Sequence, residues 1–303
     1  MQTKTNLPTI KLPNGEQYAY REAGNISSPQ TLVLIHGAMF SSSVFTPLFP
    51  KFADTFRIIA PDLRGHGQST HNTPAKGHDD HAEDLKFLFD ALGLKKFNLL
   101  GWSMGGAVSM KFTANYPEYV ERLILTNSMG VEGLAFTKID AEGKPTIERI
   151  TTEEEFLKLP NSKFLANLIA TQNREQAKML LGKRMFSGKK QPSAEQIEIA
   201  VDDLLGCKCA YRLGYLSNMY NITDKDNLAS KGTNQISKIK CPVLLLHGEK
   251  DLMVPVKEAE RTKGLLGENA ELKTFDEGGH VLFEDYPDEF VEIVKRFCEK
   301  KSA

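Results

Sequence analysis

The chain has 303 residues, 41% of them hydrophobic and 25% charged, with a formal net charge of -1. That is ordinary soluble globular composition, with no global electrostatic basis for holding nucleic acid. No apolar run approaches the roughly 18 residues of a membrane span, and the polar start MQTKTNLPTI lacks the apolar stretch of a signal peptide, so a cytoplasmic protein is expected.

From the N-terminus, TIKLPNGEQYAYREAG places Asn14-Gly15 between two alternating stretches, a hairpin signal. TLVLIHG and FRIIAPD are short continuous apolar runs, as strands buried on both faces require. HAEDLKFLFDALGL carries Leu85, Leu88, Phe89 and Leu92 at helical spacing, with Gly93 as a stop. FNLLGWS predicts a strand and MGGAVSMKFTANYP a helix ending before Pro117. VERLILTNS, CPVLLLHGEKD and the weaker AELKTFD predict further strands, and YPDEFVEIVKRFCEK a closing amphipathic helix. Strands alternating with helices predict an α/β fold with a mostly parallel sheet flanked by helices.

The alternation breaks between about Gly130 and Lys238. That stretch has no continuous apolar strand and contains charged helical runs such as TTEEEFLKL and SAEQIEIAVDDLLG. The expected organisation is a core of residues 1–129 and 239–303, with residues 130–238 inserted as a helical cap. Four cysteines are too few and too scattered for a disulfide scaffold. Cys207 and Cys209 have no matching Cys/His pair elsewhere in the sequence, so no metal site is expected.

The chemistry starts at Gly101-Trp102-Ser103-Met104-Gly105, a G-x-S-x-G element between a predicted strand and a predicted helix. A sharp turn there exposes the serine hydroxyl at the carboxyl edge of the sheet, against the N-terminal amides of the new helix. A serine nucleophile needs a base, and the base an orienting acid, in the chain order Ser, Asp/Glu, His. His280 is the expected base, because it alone of the seven histidines follows Asp251 on a loop after a late strand. Asp251 is the expected acid, with Asp276 and Glu249 as alternatives; position 127, where some relatives carry the acid, holds an asparagine. The expected oxyanion donors are the amides of Met104 and Ala38, with Met39 as the alternative to Ala38. His36 is read as bracing the turn after TLVLIHG, and Asp62 and His66 as shaping their loop.

His36-Gly37, DLRGHGQS, GWSMGG, HGEKD and GGH, in that order, resemble the α/β-hydrolase superfamily over the whole chain outside the insertion. The resemblance implies an α/β-hydrolase fold of roughly eight strands with a cap, a Ser103–Asp251–His280 triad, and no metal or organic cofactor. Serine at 103 disfavours the families with a carboxylate nucleophile. Trp102 and Val281 depart from the pattern of carbon–carbon bond hydrolases, which have Asn before the serine and Trp after the histidine. In length, GWSMG box and helical insertion the chain is similar to intracellular poly(3-hydroxybutyrate) depolymerases of Bacillus type. That resemblance implies an ester substrate, in the form of amorphous storage granules.

In the insertion, AYRLGYLSNMY sets Tyr211, Tyr215 and Met219 on one helix face. These three are expected to close over Ser103, with Met39, Phe40 and Trp102 opposite them, Trp102 packing against the methyl groups of a polyester.

Overall fold

A computed structural model describes residues 6–300; residues 1–5 of the polar N-terminal stretch and residues 301–303 lie outside the described residues. The strands are β1 (Thr9–Lys11), β2 (Gln17–Gly24), β3 (Thr31–Ile35), β4 (Arg57–Pro61), β5 (Phe97–Trp102), β6 (Val120–Thr126), β7 (Thr137–Ile139), β8 (Pro145–Arg149), β9 (Val243–Gly248) and β10 (Ala270–Phe275). Eight of them form one sheet in the order β1-β2-β4-β3-β5-β6-β9-β10. β1 pairs antiparallel with β2 around the Asn14-Gly15 turn, and β2 antiparallel with β4. Every pair from β4 onward is parallel.

The side-chain period of two divides the strands between two cores. Val33, Ile35, Leu99, Leu123 and Leu245 face one side, where helices His78–Ala91 and Met104–Asn115 cover them. Leu32, Leu34, Leu100, Trp102, Ile124 and Leu246 face the other, under helix Pro287–Glu299. Burial on both faces is why these strands read as unbroken apolar runs. The His78–Ala91 helix ends as expected, with Gly93 left-handed at φ 69°. Helix Lys257–Leu266, which joins β9 to β10, is amphipathic but escaped the sequence reading.

Between β6 and β9 lie helices Glu153–Leu157, Pro160–Thr171, Arg174–Arg184, Ala194–Gly206 and Ala210–Met219. One expectation fails here. β7 and β8 form a small antiparallel hairpin of their own in the stretch that was expected to be strand-free. Its isoleucines stand singly among polar residues and all its residues are half-buried or exposed, so no apolar run marks it. Its turn carries the signal instead: the Asp140 carboxylate accepts from the amides of Glu142 and Lys144, and Gly143 is left-handed at φ 79°.

Candidate active site

The site is assembled at the carboxyl ends of the central strands. Ser103 ends β5 in a strained conformation, φ 56° and ψ -123°, and helix Met104–Asn115 starts at the next residue. The flanking glycines are required by contact. A Cβ on Gly101 would lie 2.5 Å from the Gly105 carbonyl oxygen, and one on Gly105 would lie 2.2 Å from the Ile35 carbonyl oxygen at the end of β3. The elbow therefore presses against its own helix and against the neighbouring strand, and only hydrogen fits at either position.

His280, on the loop after β10, sets Nε2 2.9 Å from Ser103 Oγ and Nδ1 2.7 Å from Asp251 Oδ2. With Asp251 ionised, Nδ1–H donates to the carboxylate, and Nε2 is left to accept from the serine hydroxyl. Asp251, just past β9, is saturated with donors. Oδ1 accepts from the amides of Met253 and Val254 (2.7 and 3.0 Å), and Oδ2 accepts from Asn127 Nδ2 at 2.8 Å as well as from His280. Burial pushes this carboxyl up, but the charge and hydrogen bond of His280, with those of Val254 and Asn127, outweigh it and hold Asp251 below the usual carboxylate range. Of the alternatives, Asp276 accepts from Tyr286 and the Glu277 amide and Glu249 is exposed, whereas His280 Nδ1 bonds to Asp251.

Asn127 is a site residue the sequence reading passed over. It is buried at a left-handed φ of 43°, and its side-chain amide also donates to the Gly279 carbonyl at 3.0 Å. The asparagine at the alternative acid position thus supports the acid that is present. Its signal in the sequence was its place at the end of a strand beside the elbow.

Trp102 is placed differently from the expectation. Its side chain is fully buried, stacked edge-on to Phe40 and Phe283, and Nε1–H donates to the His280 carbonyl at 2.8 Å. Strand alternation turns it to the face opposite Gly101, into the core, so it packs beneath the histidine and does not reach a bound substrate. His36 braces its turn: Nδ1–H donates to the Gly37 carbonyl (2.8 Å) and Nε2 accepts from the Leu63 amide (2.9 Å). Burial holds its imidazole well below the ordinary value, so it stays neutral. Ala38 and Met39 follow it at the rim of the site, with Met39 at φ 62°. The Met104 amide opens a helix and has no partner within it.

A cavity of about 410 Å³ opens above Ser103, within the range of small-molecule sites. Ala38, Met39, Phe40 and Met104 form its floor, and Phe156, Phe164, Leu181, Met185 and Tyr211 from the inserted segment form its roof. Among the described lining residues none is acidic, and Arg184 is the one with a charged side chain. Of the predicted binding residues Met39, Phe40 and Tyr211 therefore line the cavity, and Tyr215 and Met219 do not. Helix Ala210–Met219 turns Ala210, Leu213, Gly214 and Ser217 inward. This face is set by Gly214, where a Cβ would sit 2.3 Å from the Phe156 ring, so Tyr215 is rotated to pack beside Ile150, Phe156 and Leu159. Arg184 and the roof phenylalanines were not found from sequence, because their position depends on how the segment docks.

No helix among the described residues is long and apolar enough to cross a membrane. The chain is similar to an uncharacterized protein of Mycobacterium tuberculosis, 26% identical over 96% of this chain and 82% of that one. It is also similar to a proline iminopeptidase of Lactobacillus acidophilus, 28% identical over 94% and 95%. Among solved structures an esterase from Exiguobacterium antarcticum superposes with a TM-score of 0.70 at 22% identity, over 96% of this chain and 99% of that one, a likeness of fold. Residues 30–287 match the alpha/beta hydrolase fold family, and the chain belongs to that family.

Proposed function

We propose that the protein hydrolyses carboxylic esters through an acyl-enzyme on Ser103, and that residues 130–238 act as the cap that selects the substrate. The observation that carries this reading is the unbroken chain Ser103 Oγ–His280–Asp251 opening into an apolar cavity. Ser103 Oγ attacks the ester carbonyl as its proton passes to His280 Nε2. Asp251 holds the imidazole in the acting tautomer and stabilises the imidazolium. The amides of Met104 and Ala38 receive the oxyanion. His280 then protonates the leaving alcohol, and water, deprotonated by the same nitrogen, releases the acid.

The lining chemistry narrows the substrate. An aminopeptidase must hold a substrate ammonium, and the cavity supplies no carboxylate to do so. Arg184 suits an anion instead. On this basis we read the natural substrate as an ester whose alcohol portion bears a terminal carboxylate. Oligomers of 3-hydroxybutyrate, and the mobile chains of an amorphous polyhydroxybutyrate granule, have that chemistry, and the GWSMG resemblance points the same way. A carboxylesterase or lactonase acting on neutral esters is the second reading, favoured by the apolar character of the rest of the lining.

The experiment compares 3-hydroxybutyrate oligomers, artificial amorphous granules and neutral p-nitrophenyl esters. The first reading expects 3-hydroxybutyrate release from oligomers and granules. It also expects Arg184→Gln to raise KM for acid-terminated oligomers about tenfold, the effect of losing one charged hydrogen bond, while leaving neutral esters unchanged. Turnover of neutral esters with no release from oligomers or granules selects the second reading.

A further inference from the structure

Sequence spacing offered Cys207 and Cys209 no partner, but the fold brings them one. Their turn joins helix Ala194–Gly206 to helix Ala210–Met219 and lies on the loop after β4, where His66 sits. The ligand atoms of His66, Cys207 and Cys209 lie within 4.8 Å of one another, and all three residues are buried. The two sulfurs are 3.8 Å apart, and Cys209 Sγ is 3.7 and 3.9 Å from the two ring nitrogens of His66.

We propose that His66, Cys207 and Cys209 form a binding site for a thiophilic divalent metal ion of the zinc type. Bond lengths of about 2.3 Å to sulfur and about 2.0 Å to nitrogen, at tetrahedral angles, give edges of about 3.8 Å between sulfurs and about 3.5 Å from sulfur to nitrogen. The 3.8 Å between the sulfurs matches the first edge, and the 3.7 and 3.9 Å from Cys209 Sγ to the His66 nitrogens exceed the second by a few tenths of an ångström. Nδ1–H donates to the Arg64 carbonyl at 3.0 Å and leaves Nε2 for the ion, and because Cys209 Sγ lies almost equally far from both ring nitrogens, binding would turn its side chain toward Nε2. Metal-bound histidines are oriented by an outer acceptor of this kind.

Charge favours a divalent ion. Two thiolates and a dication sum to zero, which is the balance that a buried site tolerates. Binding would displace the thiol protons to solvent and involves no redox change. The turn is already held in register on both sides of His66: the Lys208 amide donates to the Gly65 carbonyl at 2.9 Å, and Lys208 Nζ to the Ser69 carbonyl at 2.6 Å. The ion would therefore clip the inserted segment to the core. The His66 ring also lies 4.9 Å from that of His36, the residue bracing the turn at Ala38.

The test uses the full chain, reduced, treated with chelator and titrated with Co2+ and then Zn2+. The site predicts a thiolate-to-cobalt charge-transfer band that saturates at one equivalent and is abolished by one equivalent of Zn2+. In the Cys207→Ser, Cys209→Ser double variant the band should vanish and Zn2+ affinity fall at least a hundredfold, with hydrolysis of a soluble ester retained as evidence of folding. If that variant does not fold, alkylation of the wild-type chain decides: Zn2+ should protect Cys207 and Cys209 and leave Cys241 and Cys298 as before. Absence of the band, equal Co2+ binding by the variant, or alkylation of Cys207 and Cys209 unaffected by Zn2+ overturns the site. The cobalt band, the Zn2+ affinity and the alkylation pattern do not depend on Ser103.

Discussion

Two carboxylates show how differently the sheet core and the inserted segment are built. Asp251 stands on the core among four donors, and those donors win against burial, keeping it ionised. Asp203 stands on helix Ala194–Gly206, where its Oδ2 accepts from the Ser41 amide (2.9 Å) and the Ser43 hydroxyl (2.7 Å) of the loop after β3. There burial wins over those hydrogen bonds, Asp62 adds a like charge, and the carboxyl is pushed up to about 6. The core holds its carboxylate charged with two backbone and two side-chain donors. At Asp203 the segment meets the core through a carboxylate whose hydrogen bonds depend on its protonation.

The sharpest break in that comparison is Ser103→Ala, which should lower kcat about a million-fold by analogy with protease triads while leaving the melting temperature unchanged. Substantial turnover by this variant would remove the mechanism. Next in size, Asp251→Asn should cost about 10⁴ in kcat through the wrong imidazole tautomer, and Asn127→Ala about tenfold, the loss of one hydrogen bond to a charged group. Single-turnover acylation rates measure both. A larger loss from Asn127→Ala than from Asp251→Asn would contradict the supporting role drawn for it.

Asp203 tests the docking side. Its native value lies above its ordinary 3.8, so the native state holds the proton more tightly than the unfolded chain. Its contribution is therefore fully present below about pH 4, is lost as pH rises to about 6, and is flat above that. The change is on the order of 3 kcal/mol. Asp203→Asn removes this titration, so the difference between wild-type and variant unfolding free energies should itself slope across pH 4–7. A pH-independent difference would place the carboxylate in solvent. Asp251 has the opposite sign: its stabilisation is present above the ordinary value and is lost only as pH falls through its lowered native one. The smallest effect expected is that of Tyr215→Ala. With the ring outside the cavity, it should lower stability by about 1–2 kcal/mol and leave the ratio of rates among esters unchanged. A changed ratio would restore Tyr215 to the substrate.

The sheet and the elbow were legible because both are local. Two-sided burial writes unbroken apolar runs such as TLVLI and VLLLHG, and a turn with no room for a Cβ writes glycine at 101 and 105. Chain order alone then brought Ser103, Asp251 and His280 forward as a set. The hairpin at Thr137–Arg149 was invisible because neither face of it is buried deeply enough to demand an apolar pattern.

What only the tertiary structure decided is which side of each residue faces the site. Trp102 adjoins the nucleophile in sequence, yet the pleat of β5 turns it under His280. Tyr211 and Tyr215 lie four residues apart on one helix face, yet Tyr211 lines the cavity and Tyr215 packs beside Ile150, Phe156 and Leu159. Cys207 and Cys209 found His66, some 140 positions earlier, through the docking of one segment on another. Strand order and periodicity are carried by neighbours in the chain. Facing, docking and the meeting of distant side chains are set by close packing between elements, which no short stretch of residues contains.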